Sequence, residues 1–302
     1  MGVIQAIFVS SLSDTVTFVM IAFGVFITLR VLGFPDLTVD GSFVTGGSVC
    51  AVLISNGHNP FLATLAAFGA GLVCGMITGL LNTRLRITAL LAGVLMMVGL
   101  YSVNLVIMGR PNIPLIRALT IFDSVAGFFG TARNAILIIY VLSAVALITT
   151  FALSWFLRTE IGLALRASGE NEQMLRSLGV DTDKNILIGC GLSNGLIAMC
   201  GALVSQRQGF CDVNMGIGIV VTGLACVIIG EALFHTRSIP MMLLAAFVGT
   251  FLYRMIIVVV LWLGLSPGLL KLMTACLVIF ALTMPFIKKK IRGEWLPPAA
   301  RF

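Results

Sequence analysis

The sequence predicts an all-α fold, a polytopic membrane helical bundle of about nine spans within a range of eight to ten. Three observations point there. Of 302 residues, 59% are hydrophobic and only 10% charged, against roughly a quarter charged in soluble domains. Charge-free windows cover 41–83, 87–109, 134–157, 185–206 and 213–230, and a helix needs about 20 such residues to cross a bilayer. The first window is twice that length and breaks at Asn56-Gly57-His58-Asn59-Pro60, a strong turn signal, so it holds two spans.

In chain order, the expected spans lie near 14–31, 38–55, 60–82, 87–108, 134–157, 185–206, 215–233, 239–262 and 269–287, in a single transmembrane domain over 1–302. Residues 1–13 lack the charged start and small-residue cleavage site of a secretory signal. They read as an interfacial helix or as an extension of the first span. The seventh span carries Gly216, Gly218, Gly223 and Gly230 and is short enough to be a re-entrant helix instead.

Lys and Arg placement sets the orientation. With the Lys288-Lys289-Lys290-Ile291-Arg292 run in the cytoplasm, alternation brings 13 of the 19 basic residues to the same side. Arg110, Arg117, Arg133, Arg207, Arg254 and Lys271 are left outside or at the outer boundary. The net charge of +7 follows from this bias and from anionic inner-leaflet lipids, so nucleic acid is not an expected partner. The seven cysteines form no CxxC pair, and inside spans a thiol behaves as a small apolar group. No metal site is expected.

Two spans carry more than hydropathy. In the third, Ala63, Ala67, Gly71, Gly75 and Gly79 recur every four residues, a groove that lets another backbone approach closely. The second opens with Phe34-Pro35-Asp36-Leu37-Thr38-Val39-Asp40-Gly41-Ser42-Phe43. A carboxylate at the bilayer centre costs about 2.5–3.5 kcal/mol on insertion scales, so Asp36 and Asp40 must be interfacial, paired or facing water. Thr38, Ser42 and Thr45 share one helical face suited to lining a pathway. The competing reading is that Asp36 or Thr38 caps the helix behind Pro35.

Residues 158–184, RTEIGLALRASGENEQMLRSLGVDTDK, hold nine charged residues in an otherwise nearly uncharged chain. Ser168 or Asn171 can cap a short helix over 169–179, with Glu170 and Glu172 in its first turn, Arg176 in its last and Gly179 ending it. Met174, Leu175 and Leu178 form its apolar face, which suits a groove in a soluble partner or packs back on the bundle. In the turn after the seventh span, Glu231, His235 and Arg237 read as a solvated cluster, because a proton relay needs ionisable partners inside the membrane.

The pattern Arg166-Ala167-x-Gly169-x-Asn171-x-x-Met174, followed by Leu178-Gly179-Val180 and Lys184-Asn185, resembles the coupling loop of permeases in bacterial ABC importers. It is most similar to the branched-chain amino acid and ribose permease superfamily, the type II importer fold. Asp36-Leu37-Thr38-Val39-Asp40-Gly41 and Gln208-Gly209-Phe210 through Glu231 resemble that family's second helix and its glycine-rich re-entrant helix. Within the superfamily the chain is similar to permeases assigned to import of tryptophan, tyrosine or other amino acids. Cysteines at 190, 200, 211 and 226 stand where Ala, Ser or Val is expected.

The resemblance implies a non-enzymatic transport subunit in the bacterial cytoplasmic membrane, with its C-terminus inside. Two permease copies form the pathway. Two ATPase subunits take the coupling helices and hold the ATP and Mg, leaving no cofactor in this chain, and an extracytoplasmic solute-binding protein delivers the solute. Glu170, Asn171, Met174, Leu175, Arg176 and Leu178 contact the ATPase. Thr38, Asp40, Ser42 and Thr45 line the pathway with Asn104, Ser193 and Asn194, and the outer arginines 110, 117, 133 and 207 face the binding protein. Two rival classes remain: an ion-coupled secondary transporter, although Asp36 and Asp40 have no counterpart in the C-terminal half, and an intramembrane enzyme, although no paired catalytic groups lie on facing spans.

Overall fold

The computed structural model describes residues 3–116, 118–130, 134–234, 238–264, 267–269, 272–280 and 283. The long helices follow the apolar windows. α1 (Val3–Phe26) continues into a π-helical turn (Ile27–Val31), so residues 3–13 extend the first span. α2 (Thr38–Ser55), α3 (Pro60–Thr83) and α4 (Ala89–Met108) come next. Asn59 caps α3 by accepting from Phe61 N at 2.9 Å, with Pro60 at the first helical position. α6 (Ala135–Phe156), α9 (Thr182–Gln208) and α11 (Ile239–Trp262) complete seven helices, among the described residues, long and apolar enough to cross a membrane.

Two helices depart from simple spans. α10 (Ile219–Leu233) has 15 residues, about 22 Å at 1.5 Å per residue, too short for a core of about 30 Å. Its first expected residues, 215–218, are a non-helical lead. In the ninth expected span, 272–280 is helical. Leu269 ends a short turn (Pro267–Leu269) and Thr283 is helical; the remainder of that span lies outside the described residues, as do Arg117, Arg133, His235, Arg237, Lys271 and the 288–292 run.

α9 is the central post, packed on α1, α2 and α3, with α11 joining α10 to α1. The small-residue stripe of α3 is the reason α9 can come so close. Ala63 and Ala67 are fully buried, and a Cβ on Gly71 or Gly75 would overlap the backbone of Asn194 or Cys190. α6 shows the opposite surface: Tyr140, Leu147, Ile148 and Phe151 point outward, as suits hydrocarbon contact.

The two ends of the bundle are built differently. At one, β1 (Asn112–Pro114) pairs antiparallel with β2 (Phe210–Asp212), and Arg207 bonds Asp14 at 2.7 Å. The linker there also folds into α5 (Ile121–Phe128), whose first amide donates to Gln206 Oε1 at 2.9 Å. At the other end, Arg30 pairs with Glu231, and the charged loop forms α7 (Glu160–Glu170) and α8 (Glu172–Ser177). This grouping is the one that alternating spans require.

Candidate translocation site and coupling surface

Between the π-helical turn and α2, residues 32–37 are not helical, and they carry the chain back into the bundle. Asp36 there is only 5% exposed. Its Oδ1 accepts from Thr38 N at 2.8 Å, which caps α2, and its Oδ2 accepts from Asn194 Nδ2 at 2.7 Å. Asn194 is about 18 Å along α9 from its start, so the capped end of α2 sits deep in the membrane layer.

The start of α10 arrives at the same place from the other side. After β2 the chain folds inward through 213–218, where a Cβ on Gly216 would overlap the Asp40 carbonyl and Gly218 takes φ 90°. Asp40, 8% exposed, then accepts from Gly218 N at 2.9 Å with Oδ2 and from Val220 N at 2.8 Å with Oδ1. These are orphan donors of a helix start, and a carboxylate complements the positive end of the helix dipole. Asp40 therefore caps α10, a helix 180 residues distant, and belongs to neither of the simple readings open at the sequence level.

The other polar residues expected along a pathway divide into two groups. Thr38 bonds Thr78 on α3 at 2.9 Å, Thr45 donates to the Gly41 carbonyl at 3.0 Å, and Ser193 donates to the Gly24 carbonyl at 2.7 Å. Thr38, Ser193 and Asn194 are thus fixed between helices, and Thr45 is bonded within α2. Ser42 is fully buried, and its Oγ has no hydrogen-bond partner. Asn104 donates from Nδ2 to the Gly41 carbonyl at 3.2 Å and lines, with Asp40, a cavity of ≈ 290 Å³. Met97, Val98 and Tyr101 of α4 form another wall of that cavity. Sequence reading missed these three, because they look like ordinary apolar span residues.

At the charged end, the expected 169–179 helix is corrected in its bounds. Thr159 caps α7, accepting from Gly162 N at 3.3 Å, and Glu170 is the last residue of α7, not the first turn of the next helix. Asn171 caps α8, accepting from Met174 N at 3.0 Å, and α8 ends at Ser177, ahead of Gly179 at φ 83°. Arg176 bonds Glu172 at 2.7 Å, Asp183 at 2.8 Å and Thr182 at 2.8 Å. Met174 and Leu178 are 60% and 69% exposed, while Leu175 is half-buried. Hydrogen bonds from Lys184 hold the Asp181 carboxyl below its usual range.

α7 links this surface to the membrane site. Asn185 of α9 donates to Ser168 at 2.8 Å, and a Cβ on Gly169 would overlap the Val31 carbonyl. The loop thus bears on the π-helical turn that precedes Asp36. Of the arginines expected on the outer side, Arg207 is engaged by Asp14, Thr17 and Ser13 of α1, while Arg110 is exposed.

A multi-pass helical protein in which two discontinuous helices start face to face at membrane depth has the architecture of a transporter. Residues 7–282 match the family described as branched-chain amino acid transport system / permease component, and the chain belongs to that family. It is 39% identical over 271 residues to the tyrosine transport system permease protein of Clostridioides difficile, covering 90% of this chain and 88% of that protein. An uncharacterised protein of Rickettsia prowazekii is 33% identical over 92% of this chain and 97% of its own length. The ribose import permease protein RbsC of Escherichia coli is more distant, at 25% over 65% of this chain and 60% of that permease. No solved structure matches the chain.

Proposed function

We propose that the chain is the permease subunit of an ATP-driven importer for an amino acid or a related small solute, set in the cytoplasmic membrane with its C-terminus inside. Its relatives are permease components of transport systems, and its 39% identity to a tyrosine transport system permease supports an amino-acid cargo. The observation that carries the reading is the continuous contact from α8 through α7 and Gly169 to Val31, and from there through Asp36 to the paired helix starts at Asp40. A push on α8 reaches the membrane site through packed backbone.

In this reading α8 docks in a cleft of a separate ATPase subunit, with Met174 and Leu178 inserted and Asn171 and Arg176 shaping the helix. Glu170, at the α7–α8 junction, contacts the rim, and half-buried Leu175 sets the angle of α8. ATP and Mg reside on that partner. Two permease copies flank the pathway, and an extracytoplasmic binding protein supplies the solute. Closure of the ATPase pair on nucleotide biases the permeases between two access states, and the permease itself does no chemistry.

Affinity purification of the tagged chain from native membranes in mild detergent tests this. An ATPase and a binding protein are expected in the eluate. With Met174→Glu and Leu178→Glu together, the ATPase should be lost while the permease still inserts. Retention of the ATPase by that variant would refute the docking role.

A further inference from the structure

The cavity beside Asp40 has a chemical bias that narrows its ligand. It lies between α2, α4 and the 213–217 lead, and its walls include Val44, Met97, Val98 and Tyr101. Among the described residues, no Lys, Arg or His lines it. Asn104 is 1% exposed, and its Oδ1 has no hydrogen-bond partner. The amide cannot be turned to relieve this, because Nδ2 faces the Gly41 carbonyl, which only accepts. A buried acceptor without a donor is costly, so a ligand that brings a donor gains from it.

The backbone donors at the α10 start that would hold a carboxylate are already taken. A half-helix start at membrane depth ordinarily points its amides at an anionic group of the substrate. Here the amides of Gly218 and Val220 are bonded to Asp40. What the cavity presents is therefore an unpaired amide oxygen, a carboxylate nearby, the hydroxyl-bearing side chains of Tyr101 and Ser102, and otherwise apolar walls. Its volume of ≈ 290 Å³ is at the small end of ligand pockets, which run from about 300 to 1,000 Å³.

We propose that this cavity seats the transported solute and selects for an amine, held at Asn104 Oδ1 beside Asp40, with an apolar body lying against Met97, Val98 and Tyr101. The inference names the substrate class of the importer proposed above and rests on that reading. It sets an amine-bearing apolar solute apart from a sugar, whose ring of hydroxyls would lie against largely apolar walls.

The test is saturation-transfer NMR on the permease–ATPase complex in nanodiscs, with L-tyrosine, tyramine, 3-(4-hydroxyphenyl)propionate and ribose as probes. Tyrosine and tyramine should give signals at least tenfold above those of the amine-free acid and ribose. Val98→Trp fills the cavity from a residue that is 64% exposed, so the fold should tolerate it, and it should abolish both signals. Asn104→Leu should weaken them at least tenfold. Equal signals from the amine-free acid, signals that survive Val98→Trp, or no signal from any probe would overturn the inference. Failure of the importer reading has a separate mark: a complex that does not form with the ATPase, or uptake indifferent to ATP.

Discussion

Replacing Asp40 with Asn keeps the size of the side chain and removes its charge and one acceptor. Asp40 now satisfies two amides at the start of α10, at 2.9 and 2.8 Å. Hydrogen bonds to a charged group contribute about 1.5–3 kcal/mol each, and a neutral one about 1 kcal/mol. Asparagine can accept from one amide and turns an NH2 toward the other, so the α10 start should lose at least about 2 kcal/mol of local stability. At about 1.4 kcal/mol per factor of ten, that is roughly a 30-fold rise in local opening. Hydrogen–deuterium exchange with mass spectrometry in nanodiscs reads it directly. Peptides covering 218–222 should exchange about 30-fold faster in Asp40→Asn, while the middle of α9 is unchanged. Unchanged protection at 218–222 would refute Asp40 as the cap of α10.

Other outcomes follow from the packing. Gly75→Ala would press a methyl into the Cys190 backbone and should destabilise by about 1–3 kcal/mol or more; Gly69→Ala, inside α3 with open space around it, should unfold at the same temperature as the wild type or slightly above it, because Ala suits a helix interior better than Gly. Asn194→Leu removes the donor to the buried Asp36 carboxylate, and should cost about 2–3 kcal/mol and lower the unfolding temperature by several degrees. Arg30→Ala breaks the pair with Glu231 at a largely exposed position, and should change stability by less than about 1 kcal/mol, which denaturation in detergent would show.

The spans were legible because bilayer thickness fixes how long an apolar run must be, and 41–83 or 134–157 meet that length without ambiguity. The capped start of α8 was legible too, since Asn171 sits ahead of a short amphipathic run. Its neighbour was not. Thr159-Glu160 is itself a helix-start signal, but it follows a span so closely that it reads as a membrane exit, which shifted Glu170 into the wrong helix. The depth at which a helix begins is harder still. Gly216 and Gly218 marked the seventh segment as irregular, but nothing local says that its first amides meet Asp40. That bond joins residues 178 and 180 apart in sequence, and the Asp36–Asn194 bond spans 158. Asp36 and Asp40 were conspicuous as carboxylates in an apolar setting, but their bonds to Thr38, Asn194, Gly218 and Val220 run to backbone amides and an amide side chain, groups that no charge pattern in the sequence marks. Met97, Val98 and Tyr101 carry no signal at all, because a cavity wall and a lipid-facing surface use the same residues.

The proposed role of α8 is to couple this permease to an ATP-hydrolysing partner. The measurement that tests it most directly is solute uptake into liposomes holding the purified permease with its ATPase, with ATP supplied on the ATPase side and the binding protein on the other. Uptake should require ATP and both partners, and should be lost in the Met174→Glu, Leu178→Glu variant while the chain stays inserted. Uptake by the permease alone, driven by an ion gradient and unaffected by that variant, would refute coupling through α8 and make the chain a secondary transporter.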